Sequence, residues 1–250
     1  MSTNYFLNCD TAERYARARP ELNGEFNGRL LEHTGPLDRA LDVGCGTGIS
    51  ARALAGVVRQ VHAVDPSWAM LSQGIPDAEI AYCSAVAERL PYAPGSFDLV
   101  GVGLALHWVG REAFLSEASR VLRPDGWVFI VNTWFGGTMR DVPEFSVWSR
   151  EGYLQRYPNR QRKDDAVTDE NVAHLGFSIR DRWEIQRDVS MSRELLATYL
   201  TTQSNVSAEL ERTGETLASA TAWLIAEVEP YFGSAQRVFP FGGSAILLYR

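Results

Sequence analysis

Arg39-Ala40-Leu41-Asp42-Val43-Gly44-Cys45-Gly46-Thr47-Gly48-Ile49-Ser50 is the stretch whose reading decides the fold. An apolar run ends in an acidic residue and breaks into glycines at every second position. This pattern predicts a strand, a nucleoside-binding turn that holds no phosphate, and the first turn of a helix. Glycines at 44, 46 and 48 permit positive φ and let a ligand approach the main chain where a Cβ would collide. A dinucleotide pyrophosphate turn carries glycine at its first, third and sixth positions, and here the sixth is Ile49. A structural strand-to-helix turn without a ligand shares the pattern, so the ligand must be argued from the surrounding chain. Cys45, inside the turn, reads as a small packing residue rather than a reactive thiol.

The chain's 250 residues suit one α/β domain with insertions, and no linker divides it, so 1–250 is read as a single domain. Apolar residues make up 45% and charged residues 22%, and no stretch approaches the ~18 uninterrupted apolar residues of a membrane span. Met1 to Asp10 lacks a basic start followed by an apolar core, so no secretory signal is expected. Cys9, Cys45 and Cys83 form neither a disulfide framework nor a metal-ligand spacing, which predicts a reducing, cytoplasmic setting and no metal. The net charge of -7 argues against nucleic acid, where affinity comes from clustered Lys and Arg, and in favour of a small-molecule substrate. Oligomeric state is not legible.

Following the chain, Thr11 to His33 predicts two helices broken at Arg19-Pro20. Ile49 to Gly56 should form the helix after the turn, its free N–H groups directed at the ligand. Gln60-Val61-His62-Ala63-Val64-Asp65 reads as a second strand ending in a carboxylate 17 residues past Gly48, where a doubly wound fold places the acceptor for both ribose hydroxyls. Ser67 should N-cap the next helix. Glu79 to Cys83 is a short third strand, and Phe97 to Leu104 a buried fourth after the Gly95-Ser96 turn. Ala105-Leu106-His107-Trp108 follows at its carboxyl end, where open parallel sheets bind ligands. A helix over Arg111 to Leu122 breaks at Arg123-Pro124-Asp125-Gly126 before the fifth strand, Trp127 to Val131. Thr133 to Gly176 is too long for a simple connection and reads as an aromatic-rich insertion with a charged stretch at Arg160 to Asp165. Arg182 to Val189 and Ser244 to Tyr249 are the last strands. Between them lies an amphipathic helix with Leu217, Trp223, Leu224 and Val228 at helical spacing.

Asp42-Val43-Gly44-Cys45-Gly46-Thr47-Gly48 resembles motif I of the class I S-adenosylmethionine-dependent methyltransferases. Four further stretches resemble that family in the same order: Asp65-Pro66-Ser67-Trp68-Ala69-Met70-Leu71, Ala87-Glu88-Arg89-Leu90-Pro91-Tyr92, Ser96-Phe97-Asp98-Leu99-Val100, and the Arg123 to Gly126 turn. Upstream, Tyr15 to Pro20 is similar to a Tyr…Arg-Pro stretch that lies over cofactor and substrate entrance, although a solvated helix bearing two arginines reads the same way. The Leu-His-Trp element and the late helical insertion look like the methyltransferase type 11 branch that holds the trans-aconitate methyltransferases.

The resemblance implies an α/β fold: a Rossmann-like, seven-stranded, mostly parallel sheet with an antiparallel last strand, helices on both faces, and a helical lid from insertions at 133–177 and 190–235. It implies S-adenosyl-L-methionine as cofactor, held by Arg19, Asp42, Gly44, Cys45, Gly46, Gly48, Asp65, Pro66, Met70, Ala87, Glu88 and Leu104. It places Tyr15 and His107 at the catalytic end. Val86 stands where the family's adenine-binding Asp is expected, so adenine recognition departs from the pattern. The implied activity is methyl transfer to a small, partly apolar organic acceptor. His107 serves there as a base for a hydroxyl or amine, or only shapes the pocket. Two other functions share these motifs: non-transfer chemistry such as cyclisation in the same site, and non-catalytic cofactor binding.

Overall fold

The computed structural model of the protein describes residues 8–159 and 166–250. The start of the chain and the charged stretch at Arg160 to Asp165 lie outside the described residues. Seven strands, β1 (Leu37–Val43), β2 (Val58–Asp65), β3 (Ile80–Ser84), β4 (Phe97–Gly103), β5 (Leu122–Phe135), β6 (Ser178–Met191) and β7 (Arg237–Tyr249), form one sheet in the order β3-β2-β1-β4-β5-β7-β6. Neighbours from β3 to β5 run parallel, and β7 is antiparallel to both β5 and β6. The order reverses between β1 and β4, so the carboxyl ends of those strands open the crevice in which such sheets bind ligands.

The apolar runs of β1 and β4 are buried on both faces, as a central parallel strand requires. On one face Leu41, Val43, Val100 and Val102 pack against Phe114, Leu115 and Ala118 of α5 (Arg111–Val121) and against Val172 of α8 (Asp169–Ala173). On the other, Ala40, Leu99 and Phe129 meet Leu30 of α2 (Asn27–Thr34) and Ala51 and Leu54 of α3 (Ile49–Ala55). The first helix, α1 (Cys9–Ala18), is capped by Asn8 and ends where Arg19 turns extended ahead of Pro20. Among the described residues no helix is long and apolar enough to cross a membrane.

The second half departs from the expected boundaries. β5 continues to Phe135, β6 to Met191, and β7 begins at Arg237, so the β6–β7 ladder runs from Ser178↔Tyr249 to Met191↔Arg237, past the end of β5. Residues 166–177 return to the sheet as α8 and its flanks, with Val167, Val172 and Phe177 in the central core, so that part of the 133–177 segment is scaffold rather than lid. The remainder, α6 (Glu144–Trp148), a π turn over Ser149–Tyr153 and α7 (Leu154–Arg156), joins α9 (Arg193–Thr201), α10 (Ser204–Thr213) and α11 (Leu217–Val228) in a separate apolar cluster. Phe145, Trp148, Tyr157, Leu224 and Val228 fill this cluster, and Phe239 and Phe241 of β7 floor it. Leu217 begins α11 and Trp223 packs at the cluster's edge.

Candidate active site

The turn after β1 is tied to the end of β2 by its own backbone. Gly44 and Cys45 N–H both donate to the Val64 carbonyl (2.8 and 3.0 Å), and Gly48 N–H to Cys45 O (2.8 Å). Gly46 N–H donates to Asp65 Oδ2 at 3.0 Å. These donors are spent inside the protein, so the turn does not offer the row of free N–H groups that a pyrophosphate needs. Asp65 Oδ1 accepts from Ser67 N–H at 2.8 Å, and Ser67 Oγ caps α4 (Trp68–Leu71) through Met70 N–H at 3.2 Å. The two acidic-ended strands thus share one carboxylate platform. Burial raises the Asp65 pKa, and the two backbone N–H bonds pull it partly back.

The three glycines have different tasks. All adopt positive φ, at 69°, 54° and 82°. A Cβ on Gly44 would lie 2.4 Å from Ala105 Cβ, and one on Gly48 would lie 2.2 Å from the Tyr82 hydroxyl, so both are closed by the protein's own packing. Only at Gly46 is the space in front bounded by a yielding group, Met70 Cε at 3.1 Å. The expectation of three ligand-facing glycines therefore reduces to one. Thr47, absent from the expected set, is buried, and its Oγ1 has no partner among the described residues, a polar group that a ligand or water at the turn would satisfy. Cys45 is buried, and its thiol pKa is raised well above the ordinary value by desolvation and then by Asp42 and Asp65, consistent with packing.

Asp42 points away from this face. It pairs with Gly101 on β4, and its carboxylate lies on the α3 side, where Ser50 donates to Oδ2 at 2.6 Å. Oδ1 has no partner among the described residues, and Asp42 lines a void of about 10 Å³ with Asn23 and Gly103, room for about one water. The side chain thus sits behind the turn rather than on the ligand's side. Desolvation lifts its pKa from 3.8 to about 7, with the Ser50 bond opposing and Asp65 adding to the rise. Between those values the folded state holds a proton that the unfolded chain has lost, so this contribution is full below ~pH 4 and lost as pH rises through ~7. Asp42→Asn, always neutral, should gain on the wild type by ~2–3 kcal/mol between ~pH 5 and ~pH 8. Urea unfolding at the two pH values measures this, and a pH-independent difference would contradict the buried acid.

Other expected cofactor residues have protein partners. The Arg19 guanidinium donates to Thr202 Oγ1 and to its carbonyl (both 3.1 Å), and lies 4.7 and 5.0 Å from the ring centroids of Tyr15 and Tyr199. Arg17 reaches Thr198 Oγ1 at 3.3 Å. Ala12 and Tyr15 pack on Ala69 and Met70. α1 is therefore a strap between the α9–α10 junction and the wall of the glycine turn, and Arg19 fastens its end at Thr202. Glu88 Oε1 accepts from Gly110 N–H, the N-cap of α5, at 2.8 Å. Leu90 N–H donates to Glu117 (2.8 Å), and Arg120 donates to the Leu90 and Tyr92 carbonyls (3.0 and 2.7 Å), so the whole 88–92 segment is pinned to α5. Ala87 is buried within that loop, and Val86 is exposed.

Leu104 ends β4 at φ +56°, a conformation an ordinary side chain rarely takes, with its N–H on the Val131 carbonyl at 2.9 Å. It delivers Leu106–Trp108 as a 3₁₀ turn, with the His107 and Trp108 rings 5.0 Å apart and both residues exposed. His107 is thus at the rim of the crevice rather than on the floor of a closed pocket. The other histidines are engaged elsewhere: His33 with Asp181, His62 with Arg39, and His174 near Glu112. Pro66, Trp68, Val86 and Trp108 leave an exposed apolar rim after β2, β3 and β4.

A family model described as a methyltransferase domain matches residues 41–130. A demethylmenaquinone methyltransferase of Beutenbergia cavernae is 41% identical over 159 residues, covering 62% of this chain and 63% of that protein. A putative methyltransferase of Dictyostelium discoideum is 29% identical over 130 residues, 52% of this chain and 48% of its own length. The chain thus spans about half the length of that relative, and 59% of a probable S-adenosylmethionine-dependent methyltransferase of Saccharomyces cerevisiae. Among solved structures, a putative type II methyltransferase of Anaeromyxobacter dehalogenans superposes with a TM-score of 0.68 at 25% identity, over 92% of this chain and 96% of that one. These similarities do not single out the trans-aconitate branch.

Proposed function

We infer that this chain, which belongs to the class I S-adenosylmethionine-dependent methyltransferases, binds S-adenosylmethionine along the carboxyl ends of β1 to β4. We infer that it transfers the methyl group to a small, partly apolar organic acceptor at oxygen, nitrogen or carbon, carboxylates included. One observation carries the reading: the Asp65 carboxylate takes Gly46 N–H on one oxygen and Ser67 N–H on the other, and a carboxylate has about four acceptor sites. The remaining acceptor capacity suits a pair of ribose hydroxyls, and the front of Gly46, bounded only by the flexible end of Met70 among the described residues, suits the nucleoside's close approach. Once bound, the cofactor supplies an already activated methyl group, so alignment and exclusion of water are the protein's main tasks.

Each remaining wall has a use in that alignment. Met70 of α4 and Tyr15 of α1 flank the turn, and the strap that bears Tyr15 is anchored by Arg19. The loop pinned by Glu88, Glu117 and Arg120 offers adenine the backbone and apolar surface around Val86 and Ala87 in place of a carboxylate. Trp68, Val86 and Trp108, exposed at the rim, favour ligands with apolar surface. His107 stands where it could take a proton from a hydroxyl or amine acceptor, while a carboxylate acceptor would need no base.

Asp65→Ala should weaken S-adenosylhomocysteine binding by ~1.5–3 kcal/mol in calorimetry, the worth of hydrogen bonds to a charged group. Because burial raises the Asp65 pKa, wild-type affinity should also fall on acidification at a higher pH than an exposed aspartate would give. Unchanged affinity in the variant would remove the assignment.

A further inference from the structure

A second cavity lies at the other edge of the sheet. Trp134 on β5 is directly opposite Gly242 on β7, and a Cβ at Gly242 would fall 2.4 Å from the indole, so the ring occupies space that only glycine leaves. The neighbouring pair, Phe135 and Phe241, is packed in the lid cluster. Alternation therefore turns Trp134 to the opposite face of the sheet, where it remains 45% exposed. Glu184 and Gln186 on β6 pair with Ser244 and Gly242, and their neighbours Trp183 and Ile185 pack in the core on the α2–α3 side, which sends both polar side chains to the face that Trp134 occupies. Together with Thr138 they line a cavity of about 150 Å³, a size at which a protein cavity accepts a ligand of about six heavy atoms.

The charges nearby are unevenly committed. Arg140 is held by Asp188 at 2.9 Å, and Arg182 donates to the Val167 carbonyl, whereas Glu184 makes no ion pair among the described residues. An indole beside a carboxylate that forms no ion pair among the described residues is a pairing that holds an organic ammonium: the ring attracts the cation through its quadrupole, and the carboxylate neutralises it. Thr138 and Gln186 supply hydrogen-bonding groups for a polar tail. In the sheet order the cavity spans β5 to β6, two to four strands from β1, ~10–19 Å at ~4.8 Å per strand, and it shares no lining residue with the glycine turn or Asp65. We propose that this cavity is a binding site for a small organic cation, separate from the cofactor crevice.

The full chain titrated calorimetrically with choline, and with dimethylbutanol as its uncharged carbon isostere, tests the proposal. Choline should bind at least ~10-fold more tightly than the isostere, and Trp134→Ala and Glu184→Gln should each weaken it by about 10-fold. Both variants should keep wild-type affinity for S-adenosylhomocysteine, so a failure here stands apart from a failure of the methyltransferase reading. Three results would each overturn the proposal: no choline binding, equal binding of the isostere, or variants that bind choline as the wild type does. A change in sedimentation of Trp134→Ala would do so as well, by showing that a second copy of the chain covers the ring.

Discussion

Gly46→Val should still fold and should lose S-adenosylhomocysteine binding by more than ~100-fold, over ~2.7 kcal/mol. The added side chain projects where its nearest neighbour among the described residues is the end of a flexible methionine, Met70 Cε at 3.1 Å, which can yield. The core behind the turn therefore need not move. A cost remains, because φ at Gly46 is +54° and a β-branched residue there stores ~1–3 kcal/mol of backbone strain. Gly214→Ala separates the two effects: its φ is +74°, and no heavy atom lies within 4 Å of the added Cβ. That variant should lose stability through strain alone and bind normally. Calorimetry combined with thermal unfolding reads both, and a cooperative Gly46→Val protein that binds with wild-type affinity would contradict the cradle.

The contrast among the three glycines marks the limit of reading the sequence. The alternation of glycines after an apolar run fixes a tight turn because φ is a local property, and Asp65 and Ser67 are legible for the same reason: a strand end and a helix cap are set by neighbours in sequence. What fills the space before each glycine depends on β3 and on the segment after β4, which bring Tyr82 to Gly48 and Ala105 to Gly44. Likewise Arg19 and Glu88 carry the expected residue types at the expected places, but their partners, Thr202 and the α5 N-cap, are 183 and 22 residues away. The strand ends were hidden for another reason. β6 is an edge strand whose apolar face, Ile179, Trp183, Ile185, Val189 and Met191, is interrupted by Asp181 and Arg187, and those charges blur the alternation toward both ends of the strand. The aromatic content of the helical cluster is evident from the sequence, whereas its arrangement as a self-contained core on the β6–β7 extension is a product of that longer ladder.

His107→Ala should lower kcat by ~10²-fold or more for a hydroxyl or amine acceptor, with cofactor affinity unchanged. Position makes the case. The histidine follows the strained Leu104 at the carboxyl end of β4, on a 3₁₀ turn at the rim of the crevice, and the other three histidines are engaged away from it. Exposure at the rim suits a group that must exchange its proton with water after each turnover, which a buried residue could not do readily. Screening small acids, phenols and amines for release of S-adenosylhomocysteine identifies the acceptor, and kinetics of the variant then divide the two roles. Loss in kcat, with disappearance of an ionisation near neutrality from the pH–rate profile, assigns proton removal to His107. Loss confined to KM assigns it to shaping the acceptor's site. A carboxylate acceptor should show neither the ionisation nor the kcat loss, because its methylation releases no proton.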